Sequence, residues 1–174
     1  NNIKEERLNT IVKDMQHNFK VAMKAKIKVW LTNALQIANN LEVKKALLDK
    51  DREKAHKVLC ELGQTFKENT GFKNVKVHLI DKHLKSFYKS WNTEQYGEDL
   101  LHSKGYPIVK KTKDPLVGME VSAKGLRLKG LFPIFSQDIF LGIANFEGGL
   151  NSIKRTLKPY DIEFLYFMQD RYLD

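Results

Sequence analysis

The 174-residue chain predicts an α+β fold: a long N-terminal helix and further helices packed on an antiparallel sheet of about five strands. Three observations carry that reading. Leu8, Ile11, Met15, Phe19, Met23, Ile27, Trp30, Ala34, Ile37 and Leu41 recur every three or four residues, the spacing of one helix face. Past residue 71 the period drops to two, the spacing of a half-buried strand. Turn residues are scarce before that point and punctuate the chain after it.

The first helix spans Ile3–Leu41, uninterrupted by Pro or Gly. Thirty-nine helical residues would reach roughly 58 Å at 1.5 Å each. A globule of this size is about 40 Å across, so the helix projects beyond it or bends. A short helix at Glu42–Leu48 comes next. Another runs from Asp51, as N-cap, to Asn69, with Gly71 at its C-cap. Val58, Leu59, Leu62 and Phe66 form its apolar stripe.

Val75, Val77 and Leu79 alternate with Lys76 and His78 as a strand. Asp81–Lys85 is a turn, and Ser86–Trp91 the returning strand. A polar connection follows, with a helical turn at Glu94–Leu101. Tyr106–Lys113 is a short helix that ends before Pro115. Three strands follow at Leu116–Val121, Gly125–Phe135 and Ile139–Phe146, the last two joined at Ser136–Asp138. Asn151–Leu157 is a helix stopped before Pro159, and Tyr160–Tyr172 reads as either a strand or a helix. A boundary is expected between a helical region, 1–70, and a sheet module, 71–174.

The charge is +9, from 30 Lys+Arg against 21 Asp+Glu. It divides as +5 over residues 1–70 and +4 over 71–174, so no tail or single stripe holds it. The densest run, Lys20, Lys24, Lys26 and Lys28, reads as a solvated helix face. No zinc-finger spacing, RNP-like segment or GXXG clamp accompanies it, so nucleic-acid binding is a minor alternative. A lone cysteine, Cys60, excludes a disulfide framework and a Cys-based zinc site. There is no G-x-S-x-G, H-E-x-x-H, P-loop or dinucleotide motif, and the five histidines are scattered. No enzyme activity, metal or cofactor is expected. No segment is long and apolar enough to span a bilayer, and both ends fall inside patterned segments. An excised portion of a larger protein is therefore expected.

Residues 86–147 are the informative stretch. Phe87, Lys89 and Trp91 share one strand parity, and Tyr88 and Ser90 the other. Arg127 and Lys129 share a parity among leucines, while Glu120 and Asn145 sit among apolar neighbours. Cations and amides beside an indole on one sheet face would suit an anion pocket. Parity alone leaves open whether these side chains line a pocket or face solvent.

Four segments in register carry a resemblance: SFYKSWNTEQYGEDL (86–100), KDPLVGMEV (113–121), GLRLKGLFPI (125–134) and LGIANFE (141–147). Over roughly residues 70–150 the chain resembles Cache-type extracytoplasmic sensor domains of bacterial methyl-accepting chemotaxis proteins. That resemblance implies a PAS-like sheet with a ligand pocket, a long helix leaving the inner membrane and a periplasmic location for this fragment. It implies binding of a small metabolite, with signalling partners reached through other parts of the chain. Lining candidates are Tyr88, Lys89, Trp91, Glu120, Arg127, Lys129 and Asn145. Relatives tend to carry Arg at positions 89 and 129, His at 91 and Glu at 145. With Asn at 145 a simple C2–C4 carboxylate such as acetate, lactate or pyruvate is expected ahead of an amino acid. A homodimer through the N-terminal helix is also expected. A histidine kinase or cyclase receptor is the alternative output.

Overall fold

The computed structural model describes residues 2–70, 76–122, 125–161 and 163. Helix α1 covers Asn2–Asn39. Its two halves differ. Residues 2–17 are all exposed, whereas Trp30, Ala34, Ile37 and Ala38 are buried in the core. The apolar spacing is the same in both halves, but only the second half meets the sheet.

Leu41 is not part of α1. The helix breaks at Asn40, whose Oδ1 accepts from the backbone N–H groups of Glu42 and Val43 and so caps α2, Leu41–Asp49. Asp51 caps α3, Arg52–Thr70, through the N–H of Lys54 at 2.9 Å. Gly71 and Val75 lie outside the described residues.

Strand β1 is Lys76–Asp81 and β2 is Ser86–Lys89. In the turn between them, Asp81 Oδ1 accepts from the N–H groups of His83 and Lys85. β2 stops two residues short of Trp91, which sits in a turn. No helical turn forms at Glu94–Leu101. Gly97 adopts φ +83°, and the segment runs extended along β2, with Ser86 N–H donating to Glu98 O and Gly97 N–H to Ser86 O. Backbone groups at the edge of β2 thus find partners that a local helix would leave unpaired.

Helix α4 is Gly105–Thr112; β3 is Leu116–Ser122, β4 Gly125–Ser136 and β5 Ile139–Gly148. Helix α5, Asn151–Leu157, passes into a 3-10 turn over Lys158–Tyr160 that accommodates Pro159. Apart from Tyr160, Asp161 and Glu163, the segment expected at 160–172 lies outside the described residues. The sheet order is β2-β1-β5-β4-β3, with every pair antiparallel.

The two sheet faces are covered differently. On one, Val77, Leu79, Leu128, Ala144 and Phe146 form a core with Trp30 and Ile37 of α1, Val43 of α2, Leu59 and Phe66 of α3, and Ile153 and Leu157 of α5. Gly130 and Gly148 let α1 approach: a Cβ at either would lie 2.9 Å from the Trp30 carbonyl oxygen or 2.8 Å from its ring. On the other face, Ile80, Leu131 and Ile143 pack against Leu84, Leu100 and, on α4, Tyr106 and Val109.

Candidate functional site

Register fixes which side chains share the α4-covered face. Lys89 pairs with His78, His78 with Asn145, and Asn145 with Leu131. Two residues along, Lys76 pairs with Glu147 and Glu147 with Lys129; next on β4 comes Arg127, opposite Glu120. A polar cluster therefore lies beside the apolar patch under α4.

Its members bond to one another. Lys89 Nζ donates to Glu98 Oε1 at 2.5 Å, and Lys129 Nζ to Glu120 Oε2 at 2.5 Å. Ser103 Oγ also donates to Glu120, at 3.1 Å. Asn145 Nδ2 donates to the Tyr106 hydroxyl at 3.0 Å and to Glu147 Oε2 at 3.1 Å. The Glu147 oxygen accepts this bond, which orients the amide. Asn145 Oδ1 then points away, fully buried and without a donor. Glu98 Oε2 is likewise buried and without a donor.

Burial, reinforced by the Lys89 and Lys129 charges, pushes the His78 imidazole down to about 3, so it is neutral. Its Nε2 lies 2.8 Å from Ser86 Oγ. Burial, then the Glu147 and Glu120 charges, push the Tyr106 phenol far up. Tyr106 is therefore a neutral hydroxyl. Burial is the largest single influence on the Glu98 carboxyl and works to raise it, but the hydrogen bond and charge of Lys89, a backbone hydrogen bond and the Ser86 hydroxyl together outweigh it and hold that group below its ordinary range.

Lys89, Glu120, Lys129 and Asn145 come together on this face. Trp91 stands at the rim, half-exposed, edge-on to His78 at 5.7 Å between ring centres, with Lys76 Nζ 4.9 Å above its ring. Arg127 lies at the far end of the row, its Nη1 3.9 Å from where a Cβ on Gly149 would sit. Tyr88 is elsewhere. It pairs with Leu79 on the helix-covered face and bonds His56 Nδ1 at 2.9 Å. Burial, then the Cys60 thiol, push its phenol up to about 12. A register shift between Leu79 and Ile80 makes Phe87 the extra residue of a bulge, packed with Tyr88 on the helix side and not with Lys89. His78, Glu98, Tyr106 and Glu147 were absent from the sequence-based set. Glu147 shares strand parity with Asn145, and that signal was available; Tyr106 lies on a helix, where strand parity says nothing.

Among the described residues, no group of three or more His, Cys, Asp and Glu is placed to hold a metal ion, and no helix is long and apolar enough to cross a membrane.

The family model dCache_3, a double sensory domain of two-component sensor kinase, matches residues 9–158. The chain belongs to this family. No curated protein sequence matches it. Among solved structures it is similar to the V. cholerae histidine kinase DctB sensor domain, with a TM-score of 0.67 and 13% identity over 85% of this chain and 59% of that one. The E. coli DcuS sensor domain matches with a TM-score of 0.60 and 14% identity over 79% and 98%. The sensory domain of the Campylobacter jejuni chemoreceptor Tlp3 matches with a TM-score of 0.57 and 13% identity over 86% and 64%. The chain thus spans under two thirds of the DctB and Tlp3 chains. At these identities the likeness is one of fold. This Cache-type fold occurs in sensor domains of both histidine kinases and chemoreceptors.

Proposed function

We propose that this Cache domain is the extracytoplasmic ligand-binding part of a membrane receptor. Its ligand is a small carboxylate that also carries a hydrogen-bond donor, bound on the sheet face under α4. The observation behind this is the unmatched acceptor at Asn145 Oδ1, buried inside a cluster of charges. A fully buried acceptor left without a donor costs free energy that a ligand N–H or O–H would recover.

The charge balance refines the ligand. Lys89 and Lys129 each face a carboxylate already, and Glu147 adds a third. Asn145 takes an acid out of the row, and Glu147, bonded to it, puts one back. A simple acid such as acetate or pyruvate would use the lysines and leave Asn145 Oδ1 and Glu147 unanswered. An α-amino or α-hydroxy acid would answer both. Lysine offers a point charge without the guanidinium fork, which suits a carboxylate shared between two ammonium groups. The Tlp3 ligand-binding domain has been solved in complex with L-valine, so the fold accommodates a ligand of this class.

The output in this reading is a two-component kinase, which the family description favours; a chemotaxis output is the second reading, favoured by the fold shared with Tlp3. Residues 1–70 would carry the signal along α1. Ligand shifts such a receptor only by its differential affinity for two states.

Calorimetric titration with lactate, acetate, pyruvate and a panel of L-amino acids tests the ligand class. Binding of amino or hydroxy acids above acetate and pyruvate is expected, at least tenfold weaker in Lys129→Ala. Equal heats in both proteins sink the site; preference for acetate sinks the donor requirement.

A further inference from the structure

The charge cluster of α1 has an unexpected structural setting. Lys26 is not on a solvated face: it is 7% exposed, packed between α1 and α5 on the sheet face opposite the ligand site. Its Nζ lies 3.8 Å from the centre of the Trp30 ring and donates to Ser152 Oγ. Arg155, one turn along α5 from Ser152, is close enough to disfavour the Lys26 charge. Among the described residues neither cation forms an ion pair.

The two helices themselves supply no acid to this junction. No Asp or Glu occurs from Met15 to Asn39 on α1, or from Gly149 to Tyr160 around α5. The same segments carry Lys20, Lys24, Lys26, Lys28, Lys154, Arg155 and Lys158. The core side of the junction, made by Leu128, Phe146, Ile153 and Leu157, is apolar. A buried ammonium near a guanidinium, with no carboxylate paired to either among the described residues, lacks the counter-charge that such groups ordinarily have.

We propose that the α1–α5 junction binds a doubly charged oxyanion of the phosphate or sulfate type, held by the Lys26 ammonium, the Ser152 hydroxyl and the Arg155 guanidinium. The three groups supply complementary chemistry. Lys26 has donors beyond the one given to Ser152, and Arg155 presents a planar fork that matches two oxygens of a tetrahedral anion. Exposed Lys24, Lys28, Lys154 and Lys158 raise the local anion concentration. Bound there, the anion ties α5 to the helix that runs out of the domain, so it acts on α1 independently of the ligand under α4.

The test is thermal melting of the whole domain at pH 7 and constant ionic strength, exchanging chloride for sulfate. Wild type should show a saturable rise of several degrees on top of the unsaturable stabilisation that sulfate gives any protein. Lys26→Met and Arg155→Gln should keep only the unsaturable part. Arg155 is exposed, so its variant carries the test if Lys26→Met fails to fold. The saturable response should fade above pH 8, where Lys26 discharges. A saturable response retained in Arg155→Gln, or undiminished at pH 10, overturns the site. So does a wild type indistinguishable from Arg155→Gln. Anionic phosphatidylglycerol vesicles form a second arm; binding to them without a sulfate response overturns the small-anion site in favour of a lipid surface. Amino-acid titration in the same variants reads the face under α4 separately.

Discussion

The two faces of the sheet are made from the same strands and do opposite things. On the helix-covered face, β1, β4 and β5 place Val77, Leu128, Ala144 and Phe146 against four helices, and apart from Lys26 and Asn33 of α1 the interior there is apolar. On the α4-covered face, positions one residue away on the same strands carry His78, Asn145, Glu147 and Lys129. Burying charge does little for stability unless every group is matched, and here two acceptors, Asn145 Oδ1 and Glu98 Oε2, are not. One face therefore holds the fold together, and the other spends part of that stability on a polar arrangement with vacant acceptors.

Phe146→Ala is the sharpest way to break the first face. The ring is fully buried, edge-on to Trp30 at 5.3 Å and to Phe66 at 5.7 Å. Truncation removes its apolar area and leaves a cavity between α1 and α3, for an expected loss of about 3–5 kcal/mol. Urea denaturation measures it. A loss below about 1 kcal/mol would mean that the helices are not docked on this face.

Acid is the next probe, and it acts on the second face. His78 has its pKa pushed from 6.5 to about 3, first by burial and then by Lys89 and Lys129. The unfolded chain takes up a proton at this residue below about pH 6.5, and the folded one does not until about 3. Stability is therefore lost as pH falls through that window, at about 1.4 kcal/mol per pH unit from this group. Between pH 6.5 and 4.5, before most carboxylates titrate, the loss is about 2–3 kcal/mol. His78→Gln keeps a partner for Ser86 and does not titrate, so its stability should be flatter over the same range. Parallel curves would show that His78 is not buried among these cations.

What the sequence revealed follows from the same contrast. Periodicity reports apolar faces, so the helices and about five antiparallel strands could be read from Leu8–Ile37 and from the alternations after residue 75, but the order of the strands in the sheet could not. The break at Asn40 could not, because the apolar stripe continues through it; only the capping side chain marks the change of helix. Lys89, Lys129, Glu120 and Asn145 were legible because charges and amides stood out among leucines and phenylalanines. Tyr88 lies on the face that its parity, opposite to that of Lys89, already gave it; the residue that alternation misplaced is Phe87, since a bulge, which inserts one residue, cannot be seen in a count of alternation. His78 and Glu147 alternate with apolar residues as any solvent-facing pair would, and only the packing of α4 over them makes them interior. Lys26 fell to the same ambiguity, a lysine on a lysine-rich helix that α5 happens to cover.

Glu147→Gln should change stability least and separate the two faces most cleanly. The amide oxygen still accepts from Asn145 Nδ2, so the hydrogen bond at 3.1 Å has a replacement. The substitution removes a buried carboxylate that forms no ion pair among the described residues, so stability should stay within about 1 kcal/mol of wild type. Binding should not be spared. An ammonium ligand loses its charged acceptor, which costs at least tenfold in affinity, about 1.4 kcal/mol. An α-hydroxy acid, whose neutral O–H can use an amide oxygen nearly as well, loses less. Unfolding by urea and calorimetric titration with both ligand types give the two readings on one protein. If stability fell by several kcal/mol while binding held, Glu147 would belong to the scaffold, and the division between the faces would fail at the residue where it is most specific.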